Sequence, residues 1–177
     1  KALTHNLNRQ QQRVRLFEAG LVFQGPLDDL TQTPMFGGLI CGPRSAEGWS
    51  VSREGVDFFD LKGDLESLMA MSGCAEEWTF VSASHPALHP GRSARLERNG
   101  KPVGWLGALH PQVRSQLDIK PDIYLFEVEQ EALTRGVIPK FKPLSRYPEV
   151  RRDLAFLVEE SVGVAPLVET IRAQAGE

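Results

Sequence analysis

Apolar residues recur at helical spacing in one stretch of this chain more clearly than anywhere else. Leu61, Leu65, Leu68 and Met69 form a stripe directly after Val56-Asp57-Phe58-Phe59-Asp60. The pattern predicts an aromatic anchor leading into a helix, with Asp60 as its N-cap, Asp64 and Glu66 early in it, and Ser72-Gly73 as its stop. Gly63 would allow close backbone approach, so the helix is expected to pack on a sheet, with Phe59 and Leu65 buried. Upstream, Ala2, Leu3 and Leu7 followed by a polar run predict a helix reaching Arg13. The pattern then turns β-rich from Val14 to Phe23, with Gly20 read as a bulge or close contact, and again over Met35 to Gly42. Residues Pro43 to Gly55 read as a loop around Trp49.

Downstream, Trp78 to Ser82 is a short strand, and a proline-broken turn from His85 feeds a strand over Ala94 to Arg98. Asn99-Gly100 is a type I′ hairpin signal, because that turn needs positive φ at both central residues, and Lys101 to Leu109 is the return strand. His110-Pro111 opens a helix with Val113 and Leu117 inward, Pro121 stops it, and Ile123 to Val128 is apolar on both faces, as a central strand is. The sum is an α+β architecture: an antiparallel sheet of five or six strands flanked by helices. Arg135 to Lys142 reads as a connector, dividing the chain into residues 1–138 and 139–177. In the tail, an arm and strand through Val158 and a helix over Val164 to Gln174 read as the opening βα of a truncated second domain.

Composition changes this picture little. The 177 residues are 41% hydrophobic and 24% charged, which is globular, and the net charge of −3 gives no global case for a nucleic-acid or anionic-membrane binder. Cys41 and Cys74 have no paired spacing, which argues against a disulfide framework or zinc site and for a reducing compartment. No apolar run approaches a membrane span, so a cytoplasmic protein is expected; the start in mid-helix suggests a piece of a longer one.

Candidate chemistry is sparse. His85, His89 and His110 are the grouped histidines, but Pro86 and Pro90 break the helical spacing a metal pair would use, and a turn is favoured. Asp57, Asp60, Asp64 and Glu66 could suggest magnesium, yet helix capping and a solvated face account for them. Gly37-Gly38 and Gly42-Pro43-Arg44 lack the ending of a phosphate loop. Glu18 and Glu127 both follow Leu-Phe on strands, a placement open to an acid/base pair facing each other; polar lining of a pocket is the plainer reading. Arg146, Arg151 and Arg152, with Lys140 and Lys142, form the densest basic cluster, suited either to phosphate contact or to interdomain salt bridges.

Six phrases stand in a telling order: Leu16-Phe17-Glu18-Ala19-Gly20, Asp57-Phe58-Phe59-Asp60-Leu61-Lys62-Gly63, His89-Pro90-Gly91-Arg92-Ser93-Ala94, Gly104 to Pro111, Leu125-Phe126-Glu127, and Arg146-Tyr147-Pro148 through Arg151-Arg152-Asp153-Leu154. In this order they resemble the bacterial phenylalanyl-tRNA synthetase β subunit. The resemblance implies that Lys1 to Ile138 is similar to its catalytic-like module, a class II synthetase fold that has lost its chemistry. It implies too that the tail starts a ferredoxin-like domain contacting the tRNA anticodon region. ATP and phenylalanine would be bound in the homologous α subunit of an α2β2 enzyme acting on tRNA-Phe, and the family's magnesium cluster would lie upstream of this chain. A class II site needs a motif-2 arginine and a glycine-rich motif-3 strand ending in arginine, because phosphoryl charge requires bidentate cations. Arg15-Leu16-Phe17-Glu18 is a faint echo of the first, and no Gly-x-Gly-x-Gly-x-Arg occurs. No catalytic, cofactor-binding or metal residue is therefore expected, and Arg146, Arg151 and Arg152 are the candidate tRNA contacts. A free-standing ATP-dependent ligase and a stand-alone RNA-binding module are the rival readings.

Overall fold

The computed structural model describes residues 1–138, 140–141 and 150–175. The chain divides into two compact units, Lys1–Lys140 and Phe141–Glu177. The first is built on one six-stranded sheet in the order β1-β2-β6-β5-β4-β3, every neighbouring pair antiparallel. Its strands are β1 (Val14–Gln24), β2 (Thr31–Cys41), β3 (Trp78–Ser82), β4 (Leu88–Arg98), β5 (Lys101–Leu109) and β6 (Ile123–Glu129). Its helices are α1 (Ala2–Asn8), α2 (Phe58–Met71), α3 (Pro111–Gln116) and α4 (Gln130–Thr134). The mixed architecture is the one expected, and β6 is central.

The period of two along each strand gives the sheet two different faces. One carries Ile40, Leu96, Leu106, Tyr124 and Val128, which bury Leu61, Leu65 and Met69 of α2. The other carries Val14, Cys41 and Ile123 at one end, where Leu3 of α1 and Ile119 close a second, smaller core.

Several local expectations are corrected. The N-cap of α2 is Asp57, whose carboxylate accepts from the N–H groups of Phe59 and Asp60; Asp60 reaches back to the Asp57 N–H, completing a capping box. Phe59 thereby falls on the outer side and is 73% exposed, and Leu68 is 42% exposed. The stripe read from sequence is wider than the face that is buried. A side chain at Gly63 would meet only open space, so that glycine marks no close approach. At Gly20 the β1–β2 register runs straight through, Gly20 opposite Met35, with no bulge. The irregularities lie instead in β4, where the register shifts between Leu88 and Ser93, around Pro90, and between Leu96 and Glu97. A proline removes a ladder donor, so it is accommodated where the ladder is already broken. Pro34 is tolerated in β2 for a related reason: β6 pairs with β2 only from Met35 onward, which leaves Pro34 without a neighbour on that side. Helix α1 stops at Asn8 rather than Arg13, and Gln10 takes φ 62.

The Asn99-Gly100 turn has φ of 51 and 74, as a type I′ hairpin requires. In the second unit, helix α5 spans Val164–Ala175, while residues 151–159, read as holding a strand, have no regular structure. A strand's backbone groups need a neighbour, and the described residues of this unit include no other strand.

Candidate functional site

The sheet register decides the first candidate. Glu18 and Glu127 both lie opposite Gly37, one on either side, so they are separated by two strand spacings, about 9.5–10 Å. They flank the glycine instead of touching, and both are exposed. The row continues through Trp105 and Arg95. Arg95 is committed to Glu97, at 2.8 Å from Nε and 2.5 Å from Nη2, and the Trp105 ring stacks at a tilt on His85 with centroids 5.0 Å apart. Along this row the carboxylates are Glu18 and Glu127, and its one cation, Arg95, is already paired with Glu97.

Arg15, the arginine that echoes motif 2, is one residue out of phase with Leu16 and Glu18 and lies on the α2 face. There it donates to Asp64 at 2.5 Å. Arg44, in the stretch that lacks the ending of a phosphate loop, is the hub that ties the loop after β2 to the capping box. Its guanidinium reaches Glu54 at 3.1 Å, Asp57 at 2.9 Å and Asp60 at 2.9 Å. The Asp60 hydrogen bond, with the charges around it, raises the Arg44 pKa above its ordinary value. Partial burial pushes the Asp60 carboxyl up, but the Asp57 N–H and Arg44 outweigh it and hold the pKa below the usual value. The four acids of this region thus each have a cation: Asp57 and Asp60 have Arg44, Asp64 has Arg15, and Glu66 has Lys62. Among the described residues no group of three or more His, Cys, Asp or Glu is placed to hold a metal ion.

The three histidines do one job in three places. His85 Nδ1 accepts from the Ala87 N–H at 3.2 Å, His89 Nδ1 from Gly91 at 3.0 Å, and His110 Nδ1 from Gln112 at 3.2 Å. Each is followed by proline, which has no N–H, so the residue two further on offers the first available donor. The repeated His-Pro dipeptide was the sequence signal for this role. Cys41 is 1% exposed, and burial, with Asp122 nearby, pushes its thiol pKa up, making it an inert core residue.

Arg98 is a structural residue that the pattern did not single out. It donates to Glu77 at 2.7 Å and to the Ala132 carbonyl at 2.5 Å, and it lies over the Trp78 ring at 5.6 Å, so it ties β4 to α4. The Arg98 hydrogen bond holds the Glu77 pKa below the usual carboxylate value. Of the predicted tRNA contacts, Arg146 lies outside the described residues, as does Lys142; Arg151 and Arg152 are exposed in the second unit.

The α2 face also carries bare apolar surface. A groove of about 620 Å³ runs between β1 and α2, lined by Phe17, Phe36, Leu68, Met71, Phe126 and Leu133. Phe17 is 83% exposed and Met71 82%, and Leu21 and Phe23 extend the apolar row along β1, an edge strand. Such a surface marks an interface more often than a solvent boundary.

The phenylalanine–tRNA ligase beta subunit of Pseudomonas fluorescens is 51% identical over all 177 residues, which make up 22% of its length. That of Nitrosococcus oceani is 47% identical over 176 residues, covering 97% of this chain and 22% of its own. A pyrrolysyl tRNA synthetase structure from Desulfitobacterium hafniense aligns with 74% of this chain and 43% of its own, at 14% identity and a TM-score of 0.49. The chain spans about a fifth of the length of the curated relatives it matches. The family model for the phenylalanyl tRNA synthetase beta chain CLM domain matches residues 1–130, and the chain belongs to that family.

Proposed function

We propose that this chain is a non-catalytic part of a phenylalanine–tRNA ligase, serving assembly with the α subunit and placement of tRNA-Phe for ATP-dependent aminoacylation. The observation that carries the reading is the disposition of charge on the sheet. One face of the sheet has Glu18 and Glu127 flanking Gly37, and Arg15, the arginine that echoes motif 2, is held on the opposite face by Asp64. Two carboxylates repel a triphosphate, and an arginine already paired on the wrong side cannot compensate. ATP and magnesium would be held outside this chain, because the acids here are committed to Arg44, Arg15 and Lys62.

The apolar groove and the β1 row supply surface for a protein partner, and the α subunit of an α2β2 assembly is the partner the family offers. Residues 1–138 are then the class II-like module, and 139–177 the linker and start of a ferredoxin-like domain. The bare apolar side of α5, with Val164, Val168 and Ile171, fits a helix awaiting such a sheet. Arg146, Arg151 and Arg152 would meet tRNA phosphates from it, and the whole would work in the cytoplasm.

Co-purification with a bacterial α subunit tests the proposal. Association is expected, weakened by Phe17→Ser; two folded chains that fail to associate would overturn the assembly role. ATP–pyrophosphate exchange by this polypeptide alone would instead establish a free-standing ligase. Salt-dependent tRNA binding without α would favour an RNA-binding module.

A further inference from the structure

Residues 44–54 leave the end of β2 and return to the start of α2 as a loop whose two ends are tied together. Pro43 bridges Gly55, the Arg44 N–H donates to the Glu54 carbonyl at 2.8 Å, and the Val56 N–H donates to the Gly42 carbonyl at 2.9 Å. The root of the loop is packed in turn against the segment that joins α1 to β1. Gly42 has φ 91, and a Cβ there would come within 1.8 Å of the Gln12 carbonyl oxygen, so glycine is what lets the two backbones approach this closely. Between loop and segment lies a cleft of about 660 Å³, within the ordinary range of small-molecule sites.

Two arginines line it, Arg13 from the α1–β1 segment and Arg53 from the loop, together with Ser45, Ser52, Gln12 and Glu47. Elsewhere in the first unit Arg15, Arg44, Arg92, Arg95, Arg98 and Arg114 each hold a carboxylate. The two in the cleft do not. Arg13 meets the Arg44 carbonyl, at 3.5 Å from both Nε and Nη2, which leaves its Nη1 over, and Arg53 has no partner among the described residues. Glu47 forms no ion pair with either, so two cations stand against one carboxylate and the cleft is locally positive in a chain whose net charge is −3. A guanidinium presents its N–H groups as a planar fork that grips oxyanions through pairs of oxygens. Two forks brought in from two walls suit an anion with oxygens pointing several ways, which a tetrahedral phosphate has and a planar carboxylate lacks. The Ser45 and Ser52 hydroxyls and the Gln12 amide add neutral donors.

We propose that this cleft binds a phosphate group between the Arg13 and Arg53 guanidiniums, either as the free ion or as a phosphodiester of an RNA backbone. None of its residues belongs to the tRNA contacts assigned above or to the apolar groove, so the site does not depend on the assembly reading.

The test titrates the isotope-labelled full chain with inorganic phosphate, with acetate and with an octauridylate RNA, read by NMR at the backbone amides of Ser45, Gly48 and Ser52. Phosphate moves these amides with a millimolar dissociation constant, and acetate binds roughly fivefold more weakly. The double variant Arg13→Gln, Arg53→Gln, at two exposed positions, loses roughly tenfold in phosphate affinity while keeping its melting temperature, and Glu47→Gln gains roughly twofold. RNA that binds more tightly than phosphate, with a salt dependence that falls in the double variant, identifies the backbone as the source; RNA that binds no more tightly identifies the free ion. Amides unmoved by phosphate at tens of millimolar would overturn the proposal, as would acetate binding as well as phosphate, or a double variant that binds phosphate as the unaltered chain does.

Discussion

Phe59 and Leu65 show how far the sequence carries at the scale of a residue. Both belong to one apolar pattern, yet Leu65 is fully buried and Phe59 is 73% exposed. The reason is the cap: with Asp57 as N-cap, Phe59 is the second helical residue and points away from the sheet. Leu65→Ala should cost about 2–5 kcal/mol, as large-to-small changes in a packed core do. Phe59→Ala, expected from sequence to cost as much, should stay within about 0.5 kcal/mol. Urea unfolding of the two variants distinguishes these outcomes, and a Phe59→Ala loss equal to that of Leu65→Ala would contradict the structure. The histidines teach the same lesson. The prolines between them pointed to turns, and the repeated His-Pro dipeptide marks the hydrogen bond each Nδ1 accepts from the second residue onward, but the ring orientation that completes it is set by the fold.

At the scale of an element, α2 was legible in existence and extent, and its entrance was shifted by one turn. Asp57 and Asp60 are both good caps, and sequence alone does not say which one takes the first position. The Arg44 hub decides in favour of both acting together, because a reciprocal box and a shared arginine satisfy every acceptor at once. Asp57→Ala should therefore destabilise by about 0.5–2 kcal/mol, read from the denaturation midpoint. The sign of the pH dependence follows from the same contacts. Asp60 and Glu77 are held below their ordinary values, so the folded state binds fewer protons than the unfolded one through the acid range. Their stabilisation is present above the ordinary carboxylate range and lost as pH falls through and below it. The melting temperature should drop from about pH 4.5 downward, near the ordinary carboxylate values. Glu77→Gln should flatten part of that slope while lowering stability at neutral pH; a variant with the wild-type slope would remove Glu77 from the account. Strand ends were the least legible elements, because the start of β2 at Thr31 and of β4 at Leu88 depends on partners that a period of two does not name.

At the scale of the whole molecule, the antiparallel sheet could be read from the chain, whereas the strand expected before α5 does not form within the described residues. The physical cause is the same in each case: a sheet is stable where strands pair on both sides over a shared core. The first unit has six strands and two apolar clusters, while among the described residues of the second unit none is buried. Burial carries most of the stability of a domain, and α5 alone, at 12 residues, is near the length where an isolated helix is marginal in water. Removing residues 141–177 should therefore leave the melting temperature and cooperativity of the first unit almost unchanged, while taking away helical circular dichroism that melts broadly without a cooperative step. Calorimetry of the two lengths checks it. If the shorter chain melted well below the longer one, or lost two-state behaviour, the tail would be contributing core contacts, and the boundary near residue 140 would not separate independent folding units.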